Sequence, residues 1–348
     1  MKNKYLYYGM VAGSFLLAAS MHFFSTSAML QFITASVAII FLASFLGKAT
    51  ESVAHYSGDR IGGFLNATFG NAAELIIAFF LVKEGLFDMV KASITGSIIG
   101  NMLLVLGLSV FLGGLRYKEQ KFNSQLAGHN ASLMTLALVA LFIPAMFMFE
   151  LPHEEINTLS IVIAVLLIIA YILWLVFSMI THKAFLSDIE QHDTEAVWSK
   201  GISIIMLVVA TIFVAMVSEW LVHNIEVVSD SLGWSELFVG AFVIAIIGNA
   251  AEHSAAVLLA MKGRIGAAVE IAVGSSLQIA LFVAPTLVLL SLLFGSPMDI
   301  VFTLPELTAI AVSTFIAISI SKDGSTNWYE GVLLLIVYLI LGTAFFYD

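Results

Sequence analysis

The chain contains no cysteine, which excludes disulfides and thiolate metal sites but does not identify a compartment. Charge is scarce as well: 11% of the residues are Asp, Glu, Lys or Arg, against about a quarter in an ordinary soluble domain. Signs of an enzyme are missing too. "HEEIN" from His153 lacks the second histidine of a His-Glu-x-x-His metalloprotease helix, and no nucleophile constellation or phosphate-cradling glycine loop is evident. What fills the 348 residues is apolar side chain, at 60% of the total, and the solvent this implies is a lipid bilayer.

Apolar stretches of about 20 residues, each long enough to cross the hydrocarbon core as a helix, follow one another along nearly the whole chain. Eleven are expected, near 6–24, 28–47, 61–82, 92–115, 126–149, 157–180, 202–222, 237–261, 266–294, 303–321 and 328–346. The first follows Lys2 and Lys4 as a signal peptide would. Its length and the spans after it read instead as a membrane helix.

The basic residues orient the spans, because short cytoplasmic loops collect Lys and Arg whatever the net charge, which here is -10. With a cytoplasmic N-terminus, inside loops hold Lys2, Lys4, Lys48, Arg60, Arg116, Lys118, Lys121, Lys183, Lys200, Lys262, Arg264 and Lys322. Outside loops hold Lys83 and Lys91, which completes the 14 basic residues. Eleven crossings, N-terminus in and C-terminus out, are mutually consistent. Trp198, Trp220, Trp234 and Trp328 fall near span ends, where amphipathic rings prefer the interface.

Two segments carry a costly residue. "GNAAELIIAFFLV" begins at Gly70 and "GNAAEHSAAVLLA" at Gly248, and each sets a glutamate, Glu74 or Glu252, inside an apolar span. Registered on this pair, Gly96-Ser97 falls on Gly274-Ser275, and "ESVAHYSG" from Glu51 parallels "EVVSDSLG" from Glu226. Spans two to six thus correspond to spans seven to eleven. Five is odd, so the halves have opposite orientations, the inverted-repeat plan of secondary transporters with a site near the midplane. The division expected is an added helix over 1–25, a first repeat over 26–181, an acidic cytoplasmic linker over 182–201 and a second repeat over 202–348.

Helical spacing sets Asn71 beside Glu74 and Asn249 beside Glu252; on the following helices it pairs Ser97 with Asn101 and Ser275 with Gln278. Gly70 and Gly248 are candidate helix breaks that would free backbone carbonyls. Carboxylates, amides and hydroxyls without thiolate suit a hard cation, calcium above all, while His253 is a softer donor that leaves manganese or zinc open. Two ionised glutamates with one divalent cation are neutral, as are two protonated glutamates alone, and that equivalence suggests proton-for-cation exchange. Glu51 and Glu226, at matching positions near opposite membrane faces, are candidates for ion access or plain interfacial charges. In the linker, Asp188, Glu190, Asp193 and Glu195 read as a solvated amphipathic face, with a regulatory cation sensor as the alternative.

"GGFLNATFGNAAELI" (62–76) and "VGAFVIAIIGNAAEHSAAV" (239–257), with "GSIIGNMLLVLG" (96–107) and "GSSLQIALFVAP" (274–285), resemble the signature regions of the calcium/proton exchanger (CAX) family of the calcium/cation antiporter superfamily. The resemblance implies that Glu74 and Glu252 are the central cation and proton ligands, with Asn71, Asn249, Ser97, Ser275 and Gln278 around them. It also implies calcium leaving the cytoplasm by alternating access as protons enter. Ala245 stands where that family commonly has proline, which would shift the local helix break toward Gly248. Sodium/calcium exchange on the same fold is the alternative, although Ile98 and Ser276 stand where its additional ligands are expected. A passive cation channel is a further one. The partners implied are the lipid bilayer and two transported ions, with no resident cofactor and no nucleic acid. Assembly into a homo-oligomer is left open, and a prokaryotic plasma membrane is the expected location.

Overall fold

A computed structural model describes residues 2–148, 150–181 and 197–347. The acidic linker positions Asp188, Glu190, Asp193 and Glu195 lie outside the described residues. The rest is almost entirely helical, as a membrane-spanning chain requires, because lipid offers no partner to an unpaired backbone N–H or C=O.

In chain order the helices are α1 (Lys2–Phe24), α2 (Ala28–Phe69), α3 (Ala72–Glu84), α4 (Phe87–Ile99), α5 (Leu106–Arg116), α6 (Ser124–Phe147) and α7 (His153–Val176). They continue as α8 (Lys200–His223), α9 (Ile225–Leu232), α10 (Ala245–Ala260), α11 (Ile265–Gln278), α12 (Ala284–Ser291), α13 (Leu304–Ser321) and α14 (Trp328–Tyr347). Wider π-type turns join α4 to α5 (Gly100–Val105), precede α10 (Val239–Ile244) and join α11 to α12 (Ile279–Val283). Side-chain caps mark helix starts. Ser27 accepts from Leu30 N, and Thr303 forms a reciprocal capping box with Glu306.

Among the described residues, ten helical runs are long and apolar enough to cross a membrane, against the eleven expected. The difference lies at the third span. The helix of the second span continues past residue 47 through Lys48 and Glu51 to Gly58, where φ of 74° and ψ of 165° kink it. The chain from there to residue 84 is broken at Gly70–Asn71, so 61–82 is no single helix; its second piece, α3, has 13 residues. Hydropathy is blind to such a break, because both pieces are apolar.

Contacts between connections sort them to two ends of the bundle. At one end, Tyr56 Oη donates to Trp198 O, Arg116 Nη1 donates to Met261 O, and strand β1 (Gln120–Lys121) pairs antiparallel with β2 (Ser325–Thr326). At the other end, Lys83 pairs with Glu219 at 2.9 Å, and Lys91 pairs with Asp88 and Asp299. The positively charged loops of the sequence therefore gather together, away from Lys83 and Lys91.

The run Phe87–Arg116 is the centre of the bundle, with 72% of its most apolar stretch buried, while α1 is peripheral at 17%. Aromatic contacts hold α1 against α8: Phe15 stacks on Phe213 at 4.3 Å and His22 on Trp220 at 4.8 Å. Neither contact approaches the paired motifs.

Candidate cation site

Glu74 lies in the first turn of α3 and is buried. Its Oε1 accepts from Ser97 Oγ of α4, and Ser97 Oγ in turn accepts from Asn249 Nδ2 of α10 at 2.9 Å. Its Oε2 has no hydrogen-bond partner among the described residues. A buried carboxylate oxygen in that position is satisfied by a bound cation or by a proton.

The second motif repeats the arrangement. Ser275 Oγ of α11 lies 2.7 Å from both Glu252 Oε2 and Asn71 Oδ1, and its single proton serves one of them at a time. Asn71 Nδ2 donates to Gln278 Oε1 at 2.7 Å. Each motif asparagine thus reaches a serine belonging to the other half of the chain, and that serine touches its own half's glutamate. The bonds form two clusters, Glu74–Ser97–Asn249 and Glu252–Ser275–Asn71–Gln278, each drawing its asparagine from the opposite half.

The two glycines act by proximity. A Cβ on Gly70 would sit 3.1 Å from Glu252 Oε1 and 2.9 Å from Asn66 O. On Gly248 it would meet Glu74 Cα at 3.5 Å. Each glycine therefore brings one helix against the other half's glutamate. Gly70 does stand at a helix break, the turn Gly70–Asn71 between α2 and α3. Gly248 does not, and here the expectation is corrected. It lies inside the continuous helix α10, and the local irregularity falls before Ala245, in the π-type turns of Val239–Ile244. A Cβ there would make only ordinary contact with α3, so the close approach to Glu74 comes without a break and without a steric demand for glycine.

Other expected residues sit apart. Asn101 turns toward His253, with Oδ1 3.2 Å from Nε2, and its buried Nδ2 has no partner among the described residues. Glu226 is exposed on α9, at the end of the bundle where Lys83 meets Glu219. Glu51 lines a cavity of ≈ 470 Å³ whose wall includes Gly70, Gly248, Glu252, Ser275 and Gln278. Glu74 lies behind that wall. The cavity also meets Asn130 of α6 and Glu270 of α11, which were not singled out from the sequence. Glu270 falls inside the span expected at 266–294, and an acidic residue within an apolar run was the signal available.

Toward the other end α4 packs tightly on the π-type turns that precede α10. A Cβ on Gly96 would fall on the backbone of Ala241, and one on Gly240 would lie 2.5 Å from Ala92 Cβ and 2.7 Å from Met89 O. Among the described residues no three His, Cys, Asp or Glu side chains converge as a metal cluster. The two carboxylates and the neutral oxygens beside them are a donor set that would suit a hard divalent ion.

The sodium/calcium exchanger protein family model matches residues 27–180 and 202–347. Over 315 residues the chain is 49% identical to the Ca(2+)/H(+) antiporter ChaA of Bacillus subtilis (strain 168), covering 89% of this chain and 90% of that protein. It is 48% identical over 334 residues to the Ca(2+)/H(+) antiporter of Aphanothece halophytica, covering 91% and 90%. The structure of native YfkE superposes with a TM-score of 0.87 at 44% identity, over 98% of this chain and 100% of that one. With both halves matched by the family model and these relatives similar over nearly their full length, the chain belongs to the sodium/calcium exchanger protein family.

Proposed function

We propose that this integral membrane protein is a calcium/proton antiporter, a transporter and not an enzyme, which carries calcium out of the cytoplasm as protons return. The observation that carries the reading is the crossed network in which each half's asparagine reaches the other half's Ser97 or Ser275, and that serine touches Glu74 or Glu252. A calcium ion as substrate neutralises the two carboxylates, and two protons do the same. A site holding both charges bare is costly to carry through a low-dielectric interior, so one load is exchanged for the other.

The crossed hydrogen bonds support an inverted repeat of 26–181 and 202–348, preceded by the added helix 1–25 and joined by the linker 182–201. Asn101 and His253 are a neighbouring pair rather than members of the central network. The end bearing most of the Lys and Arg is assigned to the cytoplasm, which sets the N-terminus inside, the C-terminus outside and the cavity open inward. Similarity to bacterial antiporters supports a prokaryotic plasma membrane.

The test is calcium uptake into everted vesicles with an acid interior, with a sodium gradient as control. Proton-driven uptake lost in Glu74→Gln and in Glu252→Gln is the expected result. Uptake that follows only sodium, or that persists in both variants, overturns the reading or its site.

A further inference from the structure

The cavity wall formed by α11 carries a carboxylate that the paired motifs do not explain. Along this helix after residue 267, Glu270, Ile271, Gly274 and Gln278 are the partly exposed positions, and the residues between them are buried. Spacings of one, three and four residues set these side chains on one face, and all four line the cavity. Glu270 stands about 7.5 Å along the axis from Ser275 and about 12 Å from Gln278 at helical rise. Its Oε1 accepts from a neutral donor, Asn130 Nδ2 of α6, at 3.2 Å.

The cavity reaches from Glu270 to Glu252. At Gly274, which lies between them on the wall, nothing comes within 4 Å of where a Cβ would be. The α10 wall is Ala251 and Ala255. Among the described residues the charged side chains lining the cavity are Glu51, Glu252, Glu270 and Lys48, and the Lys48 ammonium is drawn over the Tyr7 ring, 3.3 Å from its centroid. Among these residues carboxylates outnumber ammonium groups, and a groove with low-dielectric walls and that balance concentrates cations.

The geometry points to Glu270 as a loading station for the divalent cation, beside Asn130, from which the ion passes along Gly274 to Glu252. The inference rests on the calcium/proton reading and concerns the ion's route, not the central pair. One carboxylate holds calcium with much of its water retained, whereas Glu252 and Glu74 replace that water.

The deciding experiment measures initial calcium uptake against calcium concentration, with calcium presented at the cavity face in everted vesicles and at the opposite face in right-side-out vesicles. Glu270→Gln is expected to raise the half-saturating calcium about tenfold at the cavity face, the lower range for focusing by charge in a cleft, with little change in maximal rate. That difference should shrink as ionic strength rises. The opposite face should keep its wild-type value, Glu270→Asp should stay near wild type, and Asn130→Asp should lower the half-saturating calcium at the cavity face. An unchanged value in Glu270→Gln overturns the inference. So does an equal rise at both faces, which marks a role in packing, and Glu270→Asp and Asn130→Asp keep the question open to measurement if the glutamine variant does not fold. Wild-type vesicles that move no calcium overturn the antiport reading and the station with it.

Discussion

Gly96 and Gly274 hold the same place in the two halves of the sequence, each just before the serine that touches a glutamate, yet their surroundings are opposite. Gly96 is pressed so closely on Ala241 that a methyl group has no room. Gly274 faces the cavity with nothing near a would-be Cβ. Equivalent positions in an inverted repeat lie toward opposite faces of the membrane. Which glycine is packed therefore reports which end is shut. A carrier needs both arrangements in turn, and glycine at both positions lets either end close.

The largest effect should come where the two ends stop differing, at the central glutamates. Glu74→Gln and Glu252→Gln should each reduce proton-driven calcium transport by on the order of 100-fold or more, since ligand charge count moves calcium affinity over such ranges. If only the cavity-lining Glu252 matters, the two-fold reading of the site fails. Vesicle uptake with calcium-45 reads this directly.

Next come the glycines themselves. Gly96→Val forces a branched side chain into the sealed contact and should lower stability by about 1–3 kcal/mol, as overpacking does, with transport falling alongside. Gly274→Val finds space in the open arrangement and should leave thermal unfolding near wild type while slowing turnover, because it obstructs closure of that end. Thermal melts in detergent beside transport rates separate the two. Equal destabilisation by both variants would break the comparison.

A smaller but more direct contrast uses the absence of native cysteine. A single cysteine at Ala255, on the cavity wall, should react quickly with a membrane-impermeant maleimide added from the cavity side. One at Ala92, buried behind Gly240, should react slowly. Labelling rates that match would mean that the two ends are equally open.

The smallest effect is expected at Lys83, exposed at the sealed end. The Glu219 carboxylate raises its ammonium above the usual lysine value, so whatever this contact adds is present at neutral pH and is lost as the pH rises through the raised value. Exposure and screening keep it small. Lys83→Ala should leave both the melting temperature and the transport rate within experimental error of wild type at neutral pH.

Much of this molecule is legible before any coordinates. Apolar runs locate the crossings, and the uneven distribution of Lys and Arg matches the two ends to which the loop contacts sort. The pairing of Asn-Ala-Ala-Glu copies leads to Glu74 and Glu252, and helical spacing leads to Asn71, Asn249, Ser97, Ser275 and Gln278, which the structure joins to those glutamates in two crossed clusters. What was not legible has specific causes. The interruption at Gly70–Asn71 depends on tertiary packing, and the same Gly-Asn pair at Gly248 stays helical. The role of Glu270 depends on which face of its helix meets open space, and periodicity cannot tell a cavity from a neighbouring helix. The choice of open end could not be read at all, because a sequence repeated in both halves describes the two ends alike.

The strap of β1 on β2 has a mechanical consequence. It clasps the chain just after α5 to the chain just before α14, and the same two helices meet along their length through Gly107, Gly114 and Gly331, too closely for added side chains. Ends clasped together and flanks in backbone contact make α5 and α14 one stiff beam. A distance label spanning the strap should therefore stay constant through transport while one spanning Gly274 changes.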